Sequence, residues 1–297
     1  MNEPLLDSRF LERLERLTLD WKKSFSGLVG GHNISRFAGS GQEFLDHRVF
    51  HQGDDLRAVN WRAYLRLEKL FLKMFQVEPR VPVRLLLDVS ESMTVGHAPG
   101  ETSKFDLARK LAAALSYVGL VRLDTIILQP FSNKLLEPFV CGGGRHRFQP
   151  AEEFLRGLKP TGSTDFLHST RQFISEYSQR GLIIVVSDFL DDQDCFRPLQ
   201  YLADFGHELL LVQLWGGEDR SPSGQGELEL VDAETGDTVK LGFDEQARQE
   251  YTARFDHYSD EIRRLAQRNG GRYDGIPAST GLEEAVFGML IRSRGVA

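Results

Sequence analysis

Val83-Arg84-Leu85-Leu86-Leu87-Asp88-Val89-Ser90-Glu91-Ser92 decides the fold. Its first half is a short, mainly apolar run, the mark of a strand covered on both faces. It stops at Asp88, and side chains bearing oxygen follow at alternate positions. A second run of this kind, Leu182-Ile183-Ile184-Val185-Val186, stops at Ser187-Asp188. Helix-like spacing lies between them: Phe105, Leu107, Ala108, Leu111, Leu115 and Val118 place one buried side on a helix over 104–120. Apolar strands separated by helices predict an α/β fold with a mostly parallel, Rossmann-like sheet and helices on both faces. Ligand sites in such sheets lie beyond the carboxyl ends of the strands. Asp88 and Asp188 fall there.

Outward from this pair the alternation continues. Strands are expected at Thr125–Leu128, Phe139–Cys141, Leu209–Leu214 and Gly271–Asp274, with helices near 150–158, 166–179, 194–204, 244–268 and 281–292. Asn269-Gly270 suits the left-handed end of the longest helix. Glu227–Val231 and Thr238–Leu241 flank Glu234-Thr235-Gly236-Asp237 and predict a β-hairpin insertion over about 226–242. Toward the N-terminus the pattern changes. Phe10, Leu11, Leu14, Leu17 and Trp21 predict an amphipathic helix over about 9–25, and the glycine-rich residues 27–53 read as irregular but ordered loop. A strand over Leu70–Val77, ended by Pro79, follows. The expected division is a smaller irregular and β-containing region over 1–80 and the α/β domain over 81–297.

A formal net charge of −7 gives no reason to expect nucleic acid as a partner. The two cysteines, Cys141 and Cys195, have no metal-binding spacing and fit a reducing compartment. The first residues lack a basic start followed by an apolar run, and no apolar run approaches the length of a membrane span. A cytoplasmic protein without membrane insertion is expected.

Three segment ends concentrate hard oxygen groups: Asp88-Val89-Ser90-Glu91-Ser92, Gly162-Ser163-Thr164-Asp165 and Ser187-Asp188. Any one of them could be only a turn or a helix cap. All three are expected on one edge of a parallel sheet, where they can converge. Oxygen donors favour magnesium, manganese or calcium over zinc.

Asp-x-Ser-x-Ser after the first apolar strand, a Gly-x-Thr loop and a strand-end Asp resemble the metal-ion-dependent adhesion site of von Willebrand factor A domains. The resemblance implies that Ser90, Ser92 and Thr164 ligate Mg²⁺ (or Mn²⁺ or Ca²⁺) directly or through water. Asp88 and Asp188 would hold the metal's waters and orient the hydroxyls. An ion held by neutral hydroxyls keeps much of its charge, so a partner protein's Glu or Asp would fill its open position.

Gly39-Ser40-Gly41-Gln42-Glu43-Phe44 and Arg48-Val49-Phe50-His51-Gln52-Gly53-Asp54-Asp55-Leu56-Arg57-Ala58-Val59-Asn60-Trp61-Arg62 narrow the resemblance. They are similar to bacterial domain-of-unknown-function family fifty-eight, differing by Phe50 in place of Tyr and Val59 in place of Ile. Asp232-Ala233-Glu234-Thr235-Gly236 and the helix bearing Tyr251 look like that family too. Kinship implies a MoxR-type AAA+ ATPase as partner and an adaptor or chaperone-like role. Within 39–62, Trp61 is expected to be an apolar anchor, and Asp54 and Asp55 to pair with Arg57 and Arg62.

The enzyme alternative is a magnesium-dependent phosphohydrolase of haloacid dehalogenase type. That chemistry wants Asp-x-Asp, and Ser90 stands where the general acid/base would be. Ser90 also lacks the glycines of a nucleophile elbow, and no phosphate-binding Gly-x-x-x-x-Gly-Lys loop occurs. A non-enzymatic, metal-dependent interaction module is the expectation.

Overall fold

A computed structural model describes residues 4–21, 35–38, 43–52, 54–77, 82–97, 102–122, 124–191 and 194–292. The chain forms two compact units, Met1–Phe25 with Val81–Ala297, and Ser26–Arg80. The division expected from the sequence was 1–80 and 81–297, whereas the small unit runs from Ser26 to Arg80. Helix α1 (Ser8–Trp21) belongs to the large unit because Leu6, Phe10 and Leu14 are buried in its core, with Phe10 5.8 Å from the ring of Phe287.

In the small unit, β1 (Ser35–Ala38), β2 (Glu43–Val49), α2 (Trp61–Leu67) and β3 (Phe71–Val77) follow in order. An antiparallel sheet runs β1-β3-β2, with a register shift between Phe44 and Asp46. Residues 27–53 thus contain two strands where irregular loop was expected. Their pairing with β3 supplies the order, a long-range effect that local patterning does not carry. Gly39 to Gln42 and Gly53 lie outside the described residues. Val59 and Leu72 are buried with Phe50 and Leu70 packed against them. Trp61 is not an anchor: it is 56% exposed and meets Tyr64 edge-on. Asp54 pairs with Arg48 at 2.6 Å rather than with the expected arginines. Asp55 and Asn60 instead accept from the amides of Arg57 and Ala63 and cap a short turn and α2.

The large unit continues through β4 (Pro82–Asp88), α3 (Lys104–Val121), β5 (Thr125–Phe131), β6 (Phe139–Gly142), α4 (Phe148–Gly157) and α5 (Phe166–Glu176). Next come β7 (Leu182–Ser187), α6 (Phe196–Asp204), β8 (Glu208–Trp215), α7 (Gly217–Arg220), β9 (Gly226–Val231) and β10 (Thr238–Phe243). Helix α8 (Glu245–Arg268), β11 (Arg272–Pro277) and α9 (Leu282–Arg292) complete it. Six strands form a sheet in the order β11-β8-β7-β4-β5-β6, parallel except for β6, which runs antiparallel at the edge. One face packs with α1, α3, α4 and α9, and the other with α5, α6 and α8. Burial on both sides explains why β4 reads as a mainly apolar run and β7 as a continuous one.

Connections leave β4 in one direction, to β5, and later return to its other side as β7. The topological switch point of the sheet therefore lies between β4 and β7. Leu87 pairs with Val186, so Asp88 and Ser187 leave the sheet side by side. Strands β9 and β10 form the expected hairpin, largely exposed along both arms.

Candidate metal centre

Asp88 lies at the middle of the switch point and is fully buried. Its Oδ1 accepts from the Ser90 amide at 2.9 Å and from Ser90 Oγ at 2.7 Å, and its Oδ2 accepts from Ser187 Oγ at 2.6 Å. Ser90 Oγ lies 2.9 Å from Ser92 Oγ. Since Ser90 gives its proton to Asp88, Ser92 is the donor in that contact. Asp88 holds the alternating D-x-S-x-S turn closed, and its side chain orients the first hydroxyl. Burial and then the neighbouring Asp188 raise its pKa to about 7 against the opposing hydrogen bonds of Ser187 and Ser90.

The second loop is laced to the first through backbone. Thr161 N donates to Val89 O at 2.7 Å, and Glu91 N donates to Gly162 O at 3.0 Å. Gly162 takes a φ of +70° at this crossing, a conformation that favours glycine. Thr164, 7% exposed, donates from its amide to Glu234 Oε2 and from Oγ1 to Glu234 Oε1, both at 3.0 Å. Glu234 comes from the β9–β10 turn.

Asp188 is buried at the end of β7, where Oδ1 accepts from the Leu190 amide and Oδ2 from Lys104 Nζ at 2.8 Å. The same ammonium lies 2.8 Å from Asp219 Oδ2. Burial opposes the charge on Lys104, but Asp188 and Asp219 outweigh it and raise the pKa above its ordinary value. Phe189 follows with φ +58°, a strained conformation for a bulky residue. Tyr258 OH donates to its carbonyl at 2.5 Å, and its ring stacks on Phe166 at 5.6 Å.

All five residues expected at the site therefore stand at the carboxyl edge of the sheet or in the loop laced to it. Asp88, Ser90 and Ser92 form one bonded group. Thr164 and Asp188 are each bound to a residue that motif reading did not assign to the site. Ser187 was legible as a strand end, without its bond to Asp88. Lys104, Asp219 and Glu234 were missed. A lysine opening a helix and a glutamate in a hairpin turn read as solvent-facing, and only the fold brings them here. Beyond Asp188, Asp191 accepts from the Phe166 amide and Asp194 from the Phe196 amide. His168 is exposed and His97 partly buried.

The donor chemistry fits a hard divalent cation. Ser90, Ser92 and Thr164 each spend their proton on an acceptor, leaving oxygen lone pairs for a metal. Among the described residues, no group of three or more His, Cys, Asp or Glu side chains is placed to hold a metal. A cation here would depend on these hydroxyls.

The family model described as "Protein of unknown function DUF58" matches residues 46–261. The chain belongs to this family. Uncharacterized protein Rv1480 of Mycobacterium tuberculosis is 26% identical over 269 residues, spanning 87% of this chain and 82% of the relative. Among solved structures, the conserved hypothetical protein BatB from Bacteroides thetaiotaomicron matches with a TM-score of 0.43 and 16% identity, over 72% of this chain and 98% of BatB. The SpRpn10 VWA domain matches with a TM-score of 0.40 and 14% identity, over 73% of this chain and 98% of that domain. The sheet, parallel except for its edge strand and covered by helices on both faces, is the α/β architecture expected from the sequence. No described helix is long and apolar enough to cross a membrane.

Proposed function

We propose that this family member is a non-catalytic protein-binding module whose contact runs through a divalent cation at the β4–β7 switch point. One observation carries the reading: the Asp88 carboxylate accepts three hydrogen bonds and sets the hydroxyls of Ser90 and Ser92 with their protons committed, while the loop carrying Thr164 is laced to theirs through backbone. Ser90, Ser92 and Thr164 would hold Mg²⁺, with Mn²⁺ or Ca²⁺ as substitutes, while Asp88 orients Ser90 and Asp188 supplies nearby negative charge. Bound there, the ion supplies a Lewis-acidic position for a carboxylate from a partner protein. The chain's own residues do the rest: Asp88 fixes the turn, and the backbone bonds through Val89, Glu91, Thr161 and Gly162 keep the two loops together. Asp88 has no second carboxylate two residues on, as a phosphohydrolase of haloacid dehalogenase type needs, since Ser90 stands there.

The partner class follows from kinship with the family: a MoxR-type AAA+ ATPase, met in the cytoplasm. The unpaired cysteines Cys141 and Cys195 suit such a compartment. Affinity purification with wild-type and Asp88→Asn bait, in magnesium and in EDTA, tests the whole reading. Magnesium-dependent capture of the ATPase by wild type alone is expected. Equal capture by the folded variant in EDTA refutes it. Turnover of a generic phosphoester lost in Asp88→Asn would install the phosphohydrolase instead.

A further inference from the structure

We propose that Glu234 closes this site in cis, occupying as an internal ligand the position a partner's carboxylate would take. The inference rests on the reading of the site as carboxylate-binding, and it names the regulation of that site. Both oxygens of Glu234 are engaged, one by the amide and one by the hydroxyl of Thr164, each at 3.0 Å. A carboxylate held by two donors on one residue is held as a ligand, with fixed orientation. Thr164 is one of the three hydroxyl residues of the centre, so whatever holds it also controls access there.

The turn is built to present this side chain. Asp232 Oδ1 accepts from the Glu234 amide at 2.7 Å and the Thr235 amide at 2.9 Å, while Asp232 N bonds Asp237 O at 2.8 Å. Gly236 completes the turn with φ +77°. Those two amides hold the Asp232 carboxyl below its ordinary pKa, so the turn keeps its form across the neutral range. The arms bury little that would keep the hairpin in place. Leu230, Val231 and Val239 are 49%, 64% and 60% exposed, and Phe243 at the base is the buried residue of β10. A rigid tip on lightly attached arms can leave as a unit when an outside carboxylate competes for Thr164. Competition then sets the apparent affinity: an outside ligand binds in proportion to the fraction of molecules whose hairpin is away. The ligand class is equally defined, a Glu or Asp displayed on a tight turn.

The test uses the full chain as wild type and as Glu234→Ala, with a cyclised, fluorescent peptide of residues 229–240 as probe. Magnesium is present, and anisotropy reports binding. Glu234→Ala is expected to bind the probe at least about tenfold tighter than wild type does. A probe carrying Gln at the position of Glu234 should not bind the variant. Hydrogen exchange gives the independent readout: the Thr164 amide, which donates to Glu234, should exchange faster in Glu234→Ala, with the central sheet unchanged. Equal probe binding by the two proteins, or unchanged exchange of the Thr164 amide, overturns the proposal. An EDTA arm separates it from the metal reading. Probe binding to Glu234→Ala that survives EDTA removes the cation from the account and leaves cis closure resting on the two donors of Thr164.

Discussion

At the carboxyl end of the central sheet, Asp88, Asp188 and Lys104 are as buried as the leucines around them, and all three are hydrogen-bonded. At the amino end Arg84 is 2% exposed, yet its Nε and Nη1 have no hydrogen-bond partner among the described residues. It lies 5.2 Å from the ring of Tyr177, and burial lowers its pKa. Gly181 permits that crowding, since a Cβ there would stand 2.5 Å from Pro82 O and 2.8 Å from Arg84 Nη1. Next to it, burial pushes His207 down from its ordinary pKa and Glu208 up to about 7. Burial of charge is thus common to both ends, and only the partners differ. A buried charge supplied with converging partners marks a site, and one packed mainly against a ring marks a tolerated cost.

The sharpest test of this contrast is Lys104→Met. It leaves Asp188 and Asp219 without their shared ammonium and should cost about 3–5 kcal/mol, as losing one partner of a buried ion pair does. Denaturant titration measures it, and a cost near zero would erase the distinction. Asp88→Asn comes next. It keeps an acceptor for Ser90 while removing a carboxylate that burial disfavours, so the midpoint of thermal unfolding in EDTA should hold or rise. Stabilisation by added magnesium, expected of wild type, should be absent in the variant.

Arg84→Met, at the opposite end, should leave stability within about 1 kcal/mol of wild type or raise it. A large loss would show that the guanidinium is better served than its geometry indicates. The smallest effect is in the pH dependence. Because the pKa of Glu208 is raised when folded, its contribution is fully present below its ordinary 4.5 and is lost as pH rises through about 7. Lowered in the fold, the pKa of His207 gives the opposite sign: its contribution is present above 6.5 and is lost as pH falls. Glu208→Gln should therefore remove the part of the stability loss that develops between pH 4.5 and about 7, read by denaturant titration across that range, and leave the opposite contribution of His207 in place.

How much of this was legible in the sequence depended on the range of the interaction. The strands β4 and β7 announced themselves because both faces are covered, and Asn269-Gly270 ended α8 as local chemistry requires. Asp88, Ser90 and Ser92 were legible because one turn brings them together. Strands β1 and β2 were not, since pairing with β3 creates them. Helix α2 buries none of its residues and so wrote no apolar stripe, although Asn60 was there to cap it. Lys104 and Glu234 escaped for the same reason at the site: their partners lie 84 and 70 residues away.

The ammonium of Lys104 also changes the kind of equilibrium the centre obeys. Asp188 already has a cation at 2.8 Å, fixed to the first turn of α3. Any ion that draws on that carboxylate takes part in an exchange with a tethered competitor that cannot diffuse away. The affinity of such an ion would be a difference between two cations, and a lysine would share in setting its selectivity.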